Sequence, residues 1–139
     1  MQVSNRNDFL SAPWIPYRTE IKGWKIGATE GKKTVFVKFV DKAGNISEVA
    51  SDDILLDISA PVNCKVVIED GAKYTNRQKV KLKIQAEGAS EMIIRGGEGW
   101  IPFSKEIEWE IPPGDGKKDV YLKFRDEVGN QSAIVGDNI

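Results

Sequence analysis

Apolar and polar residues alternate one by one along much of this chain, the period of a strand with one buried and one wet face. Residues 79–85 read KVKLKIQ, with Val80, Leu82 and Ile84 on one side and lysines on the other. Residues 105–111 set Ile107, Trp109 and Ile111 against Glu106, Glu108 and Glu110. Val120, Leu122 and Phe124 alternate with Tyr121, Lys123 and Arg125, and Val35, Val37 and Phe39 do the same earlier. No twelve-residue window carries a helical apolar stripe. Between the alternating runs lie Gly-Asn, Pro-Pro-Gly and Asp-Gly breaks, where glycine supplies positive φ and aspartate bonds the turn backbone. The pattern predicts an all-β, antiparallel sandwich of about seven strands per unit.

The pattern also repeats. Residues 31–54 (GKKTVFVKFVDKAGNISEVASDDI) align without gaps on residues 116–139 (GKKDVYLKFRDEVGNQSAIVGDNI), identical at 12 of 24 positions. Upstream, Trp14-Ile15-Pro16-Tyr17 matches Trp100-Ile101-Pro102-Phe103, Trp24 matches Trp109, and Met1 matches Met92. The offset drifts from 91 through 86 to 85, which puts the insertions in the loop before Trp14 and near Gly23. A β-bulge at Gly23 restores the register of a strand carrying Ile21 and Trp24. Residues 61–91 have no mate before Met1, and Leu55-Leu56-Asp57 has none after Ile139. The chain therefore reads as about one and two-thirds units: a partial repeat at 1–57 lacking its first strands, and a nearly complete one at 58–139. The partial unit is expected to borrow strands from another copy, by exchange or edge pairing, or to be poorly ordered.

Together these features resemble the immunoglobulin-like, fibronectin type III-like tandem repeats of bacterial secreted and cell-surface proteins. The resemblance rests on Met-x-x-Ser-Asn at Met1, Trp-x-Pro-Tyr at Trp14, the later strand tryptophan, and the run from Lys33 to Ser47 with its Asp-x-x-Gly-Asn-x-Ser turn. Ile54-Leu-Leu-Asp-Ile-Ser-Ala-Pro61 resembles the linker between such units, and residues 70–76 an early loop. The second copy departs at Arg95-Gly96-Gly97, where Ser-Asn is expected. The resemblance implies a non-catalytic structural or adhesive module of a larger exported protein, extracellular or on the cell surface, with neighbouring repeats as its first partners.

Composition narrows the chemistry. Twenty basic against 21 acidic residues leave a net charge of −1, without the basic excess of a nucleic-acid binder. No run reaches the 18 to 20 apolar residues of roughly a bilayer's span, so membrane insertion is not expected. Residues 1–10 are polar and lack a signal-peptide pattern. Histidine is absent and Cys64 is the single cysteine. That removes the commonest acid–base group, an internal disulfide and a thiolate zinc site, so no enzyme and no resident cofactor are expected.

Four groups of residues remain as candidate sites. Asp41, Asn45, Asp126 and Asn130 offer turn oxygens suited to calcium, with Asp52, Asp53, Asp57 and Asp137 nearby in sequence; aspartate–backbone bonding is the competing account. Trp14 with Tyr17, and Trp100 with Phe103, are candidate glycan-stacking platforms, which makes a carbohydrate-binding sandwich the alternative function; a structural corner competes with it. Trp24 and Trp109 are expected in the core. Glu106, Glu108 and Glu110 have the residue type of a glycosidase pair but the spacing of a wet strand face. Cys64 falls in register with Val66 and Ile68, as a small buried apolar group does. Lys79, Lys81 and Lys83 line a wet face and suit an edge strand protected from aggregation.

Overall fold

Alternation becomes strands wherever a partner strand exists. A computed structural model describes residues 1–139 and contains ten β-strands, a single 3-10 turn at Glu69–Gly71 and no α-helix. The chain is all-β, every strand pair is antiparallel, and the strands form three sheets. No helix is long and apolar enough to cross a membrane. Two compact units divide the chain, Met1–Ile58 and Ser59–Ile139.

The second unit holds β4 (Val62–Ile68), β5 (Lys79–Glu87), β6 (Glu91–Ile94), β7 (Trp100–Pro102), β8 (Glu106–Glu110), β9 (Asp119–Arg125) and β10 (Val135–Asn138). One sheet runs β4-β5-β8 and the other β10-β9-β6-β7. Their inner faces share one core: Val66 and Ile68 from β4, Val80, Leu82 and Ile84 from β5, Met92 and Ile94 from β6, and Val120, Leu122 and Phe124 from β9. This is a β-sandwich, and its driving force is the roughly 1.5–3 kcal/mol gained by each large apolar side chain that leaves water. Trp109 packs against this core half-buried, and Gly97 makes room for its ring: a Cβ there would lie 3.3 Å from the indole.

The first unit holds only β1 (Gln2–Ser4), β2 (Gly31–Lys38) and β3 (Ala50–Leu56), in one sheet of order β1-β2-β3. These match β6, β9 and β10 in sequence and in pairing. Even the β6–β7 ladder has its mate. Met1 and Ile15 exchange two backbone bonds at 2.8 Å, at the place where Met92 pairs with Ile101. Counterparts of β4 and β5 are absent, and the strand expected at Ile21 and Trp24 does not form. Residues 21–26 are turn and irregular chain, with Gly23 at φ 71°. The reason is visible in the second unit, where the equivalent β8 is held in its sheet by pairing with β5. Without a β5, the same residue pattern has no ladder to join. Trp24, expected in the core, is exposed; its indole N–H donates instead to Asn5 Oδ1 at 2.7 Å.

Candidate functional site

The repeated Asp-x-x-Gly-Asn-x-Ser stretch closes the same turn in both units. Asp41 Oδ1 accepts the N–H groups of Ala43 and Asn45 at 2.9 Å, and its Oδ2 accepts the Asn45 side-chain amide at 2.8 Å. Asp126 accepts from Val128 at 3.0 Å, from Asn130 at 2.9 Å and from the Asn130 amide at 2.8 Å. Three residues after the glycine, the serine hydroxyl locks the strand. Ser47 Oγ accepts from Phe39 N–H at 2.9 Å and Ser132 Oγ from Phe124 N–H at 3.0 Å, while each donates to the next carbonyl at 2.8 Å. Asp41, Asn45, Asp126 and Asn130 are thus brought together in pairs, as expected, but their carboxylate oxygens face N–H donors. No group of three or more Asp, Glu, Cys or His side chains is arranged to hold an ion. The nearby aspartates are engaged too: Asp53 pairs with Lys32 at 3.4 Å, and Asp137 bonds a strand backbone.

The aromatic pairs are not brought together. Tyr17 sets its ring edge-on to Phe39, centroids 6.0 Å apart, whereas Trp14 lies beside Lys38, whose Nζ is 5.8 Å from its ring centre. Lys38 and Phe39 are consecutive in extended chain, so these two aromatics lie on opposite faces of the sheet. The second unit repeats the split. Phe103 packs on Phe124 in the core at 6.1 Å, while Trp100 lies under the Arg125 guanidinium at 4.4 Å, and Arg125 is itself held by Glu91 at 3.0 Å. Neither pair presents one flat stacking platform.

The remaining candidates settle into structure. Glu106, Glu108 and Glu110 stand directly across from Lys83, Lys81 and Lys79. Three rungs of opposite charge line the wet face of β5 and β8. The lysines therefore lie on the central strand of their sheet, not on an edge; the edges are β4 and β8. Lys83 also pairs with Asp70, which holds that carboxyl below the usual range. Cys64 is half-buried against the core and its Sγ donates weakly to the Pro61 carbonyl at 3.6 Å; burial pushes the thiol up, away from the reactive thiolate.

One feature of the first unit has no such settlement. The face of β2 that carries Val35, Val37 and Phe39 is only half-buried, whereas Val120, Leu122 and Phe124 at the same places in the second unit are 2%, 1% and 0% exposed. Around it stand Tyr17 at 70% and Ile54 at 61%. Asp52, opposite Val35, shares this face as Asp137 shares that of Val120. Asp137 reaches across the sandwich and accepts the Ile68 N–H of β4 at 2.8 Å. Asp52 accepts only at short range, from the N–H of Asp53 at 2.9 Å. In the sequence Asp137 stands only as one of the carboxylates near the calcium candidates. The partner that explains it lies 69 residues away. No family model matches the chain, and no curated protein matches it.

Proposed function

We propose that this chain is a non-catalytic structural or adhesive module of a larger exported bacterial protein, built from immunoglobulin-like, fibronectin type III-like repeats that act as spacers or interaction scaffolds outside the cell. One observation carries the proposal. The polar residues of the turn that recurs in both units are spent on holding that turn and the strand beside it. The turn aspartate, asparagine and serine make the same bonds in both units to within 0.1 Å. A recurring chemical or binding site would instead aim its recurring polar groups at a shared cavity. The strand order β4-β5-β8 against β10-β9-β6-β7 supports the likeness to such repeats, since seven strands divided three and four is their arrangement. The carbohydrate-binding alternative is weakened by the separation of Trp14 from Tyr17 and of Trp100 from Phe103.

Small-angle scattering on concatemers of one, two and three copies tests the spacer function. Maximum dimension should rise in near-equal steps per copy, and tryptophan emission should not respond to bacterial polysaccharides. A glycan that shifts the emission and is lost on Trp14→Ala would replace this function with the binding one.

A further inference from the structure

Polar residues that do not recur in the first unit gather at one end of the second. The ends of β4 and β8 and the starts of β5 and β9 bring loops 69–78 and 111–118 together there, and between them lies a cleft of about 650 Å³. Residues 73–78 belong to the stretch 61–91 that has no earlier mate, and Pro112-Pro113 stands where the first unit has Gly27-Ala28. The walls are braced from within. The Ile111 N–H donates to the Gln78 carbonyl at 2.9 Å, so both loops leave from one rung. Lys118 Nζ donates to the Pro113 carbonyl at 3.2 Å, and the Thr75 hydroxyl accepts the Arg77 N–H at 3.2 Å. The two prolines, with φ fixed by their rings, stiffen the second loop.

The lining is basic. Lys73, Arg77, Lys117 and Lys118 line the cleft against a single carboxylate side chain, Asp115, in a chain whose net charge is −1. Arg77 lies 3.7 Å from Glu69 and Lys117 lies 3.5 Å from Asp119, whereas Lys73 and Lys118 have no carboxylate partner. Tyr74, on the same cleft, is 89% exposed, more than any other large apolar side chain of the protein. The Asn76 amide makes no bond within the chain. The fold has no use for an aromatic ring left in water beside unpaired cations, and such a group marks a binding surface.

We propose that this cleft binds an anionic saccharide. A sugar ring lies on the face of Tyr74, its carboxylate, sulfate or phosphate is held by Lys73 and Lys118, and the Asn76 amide bonds ring hydroxyls. Size favours this ligand over an acidic protein surface. A volume of about 650 Å³ is that of a small-ligand site, whereas a stable protein partner needs about 800 Å² of surface on each side. The site is separate from the Trp14–Tyr17 and Trp100–Phe103 pairs, and it adds a binding role that the spacer function does not require.

Trigalacturonate, a sulfated heparin disaccharide and neutral maltotriose, each titrated into the isotope-labelled full chain, test the proposal by amide NMR. A charged saccharide should shift the signals of residues 73–78 and 114–118, and maltotriose should bind at least about tenfold more weakly. The tighter of the two charged saccharides identifies the anion. Tyr74→Ala should weaken that binding about tenfold. Lys73→Gln should weaken it about threefold at low salt and less at high salt. Tyr74 and Lys73 are exposed, so unchanged signals from the core strands check that both variants fold. The proposal is overturned if neither charged saccharide shifts these loops, if maltotriose binds equally well, or if Tyr74→Ala has no effect. Tighter binding of ATP or of poly-glutamate would overturn it too, in favour of a nucleotide or an acidic polypeptide. Each of these results leaves the scattering test of the spacer intact.

Discussion

Asp41 and Asp126 begin their turns by accepting three N–H donors each, and this lowers the pKa of both carboxyls. For Asp41 the largest cause is the bond from the Asn45 side chain. For Asp126 burial is the largest single influence and acts upward, but the bonds from Asn130, Val128 and Gly129 together outweigh it. A carboxyl depressed on folding adds stability above its unfolded pKa and loses it as pH falls through the folded one. The turns should therefore stay closed through the ordinary aspartate range and open only below it. Carboxyl carbon shifts followed by NMR against pH should give both residues midpoints below that of an unstructured aspartate, near 3.9. An ordinary midpoint at either residue would mean that the turn bonds do not persist in solution. At this scale the sequence was informative, because a turn's donors and acceptors lie within four residues of each other. The role of Asn5 was not legible, since its bond to Trp24 spans 19 residues.

Strands show how the same residue pattern acquires different fates. Alternation places β5, β8 and β9 correctly, because each has a partner and a core to cover. It also predicts a strand around Ile21 and Trp24, where none forms for want of a neighbour. Which strand is central is equally a matter of partners. The lysines of β5 match a protected edge by composition, yet they sit mid-sheet, with Glu106, Glu108 and Glu110 opposite on β8 and Asp70 paired to Lys81 and Lys83. Lys79→Glu should place like charges opposite at Glu110 and destabilise the second unit by up to about 1 kcal/mol at low salt. Lys79→Glu combined with Glu110→Lys should recover most of the loss. Urea unfolding at low and high salt measures both, and equal losses in the single and double variants would show that the rung does not interact.

For the molecule as a whole, two copies of one frame differ in how completely they are buried. Phe124 is fully enclosed, and its mate Phe39 is half-exposed. Phe124→Ala should cost the second unit about 3–5 kcal/mol, from lost transfer energy plus the cavity left behind. Phe39→Ala should cost the first unit clearly less, because water already reaches that side chain. Amide signals of each unit, followed through a denaturant titration, separate the two effects. Equal losses would place Phe39 in a closed core.

Strand class, the repeat and its turns were readable from sequence, because alternation, internal identity and turn bonding are all written within short stretches of chain. It also showed that residues 61–91 have no mate earlier in the chain. Tertiary structure alone decided which alternating segments become strands, which face of a sheet each aromatic joins, and what Asp137 holds. Those outcomes depend on groups tens of residues apart: a ladder needs both its strands, and an inward carboxylate acquires its role only from the backbone that comes to lie across from it.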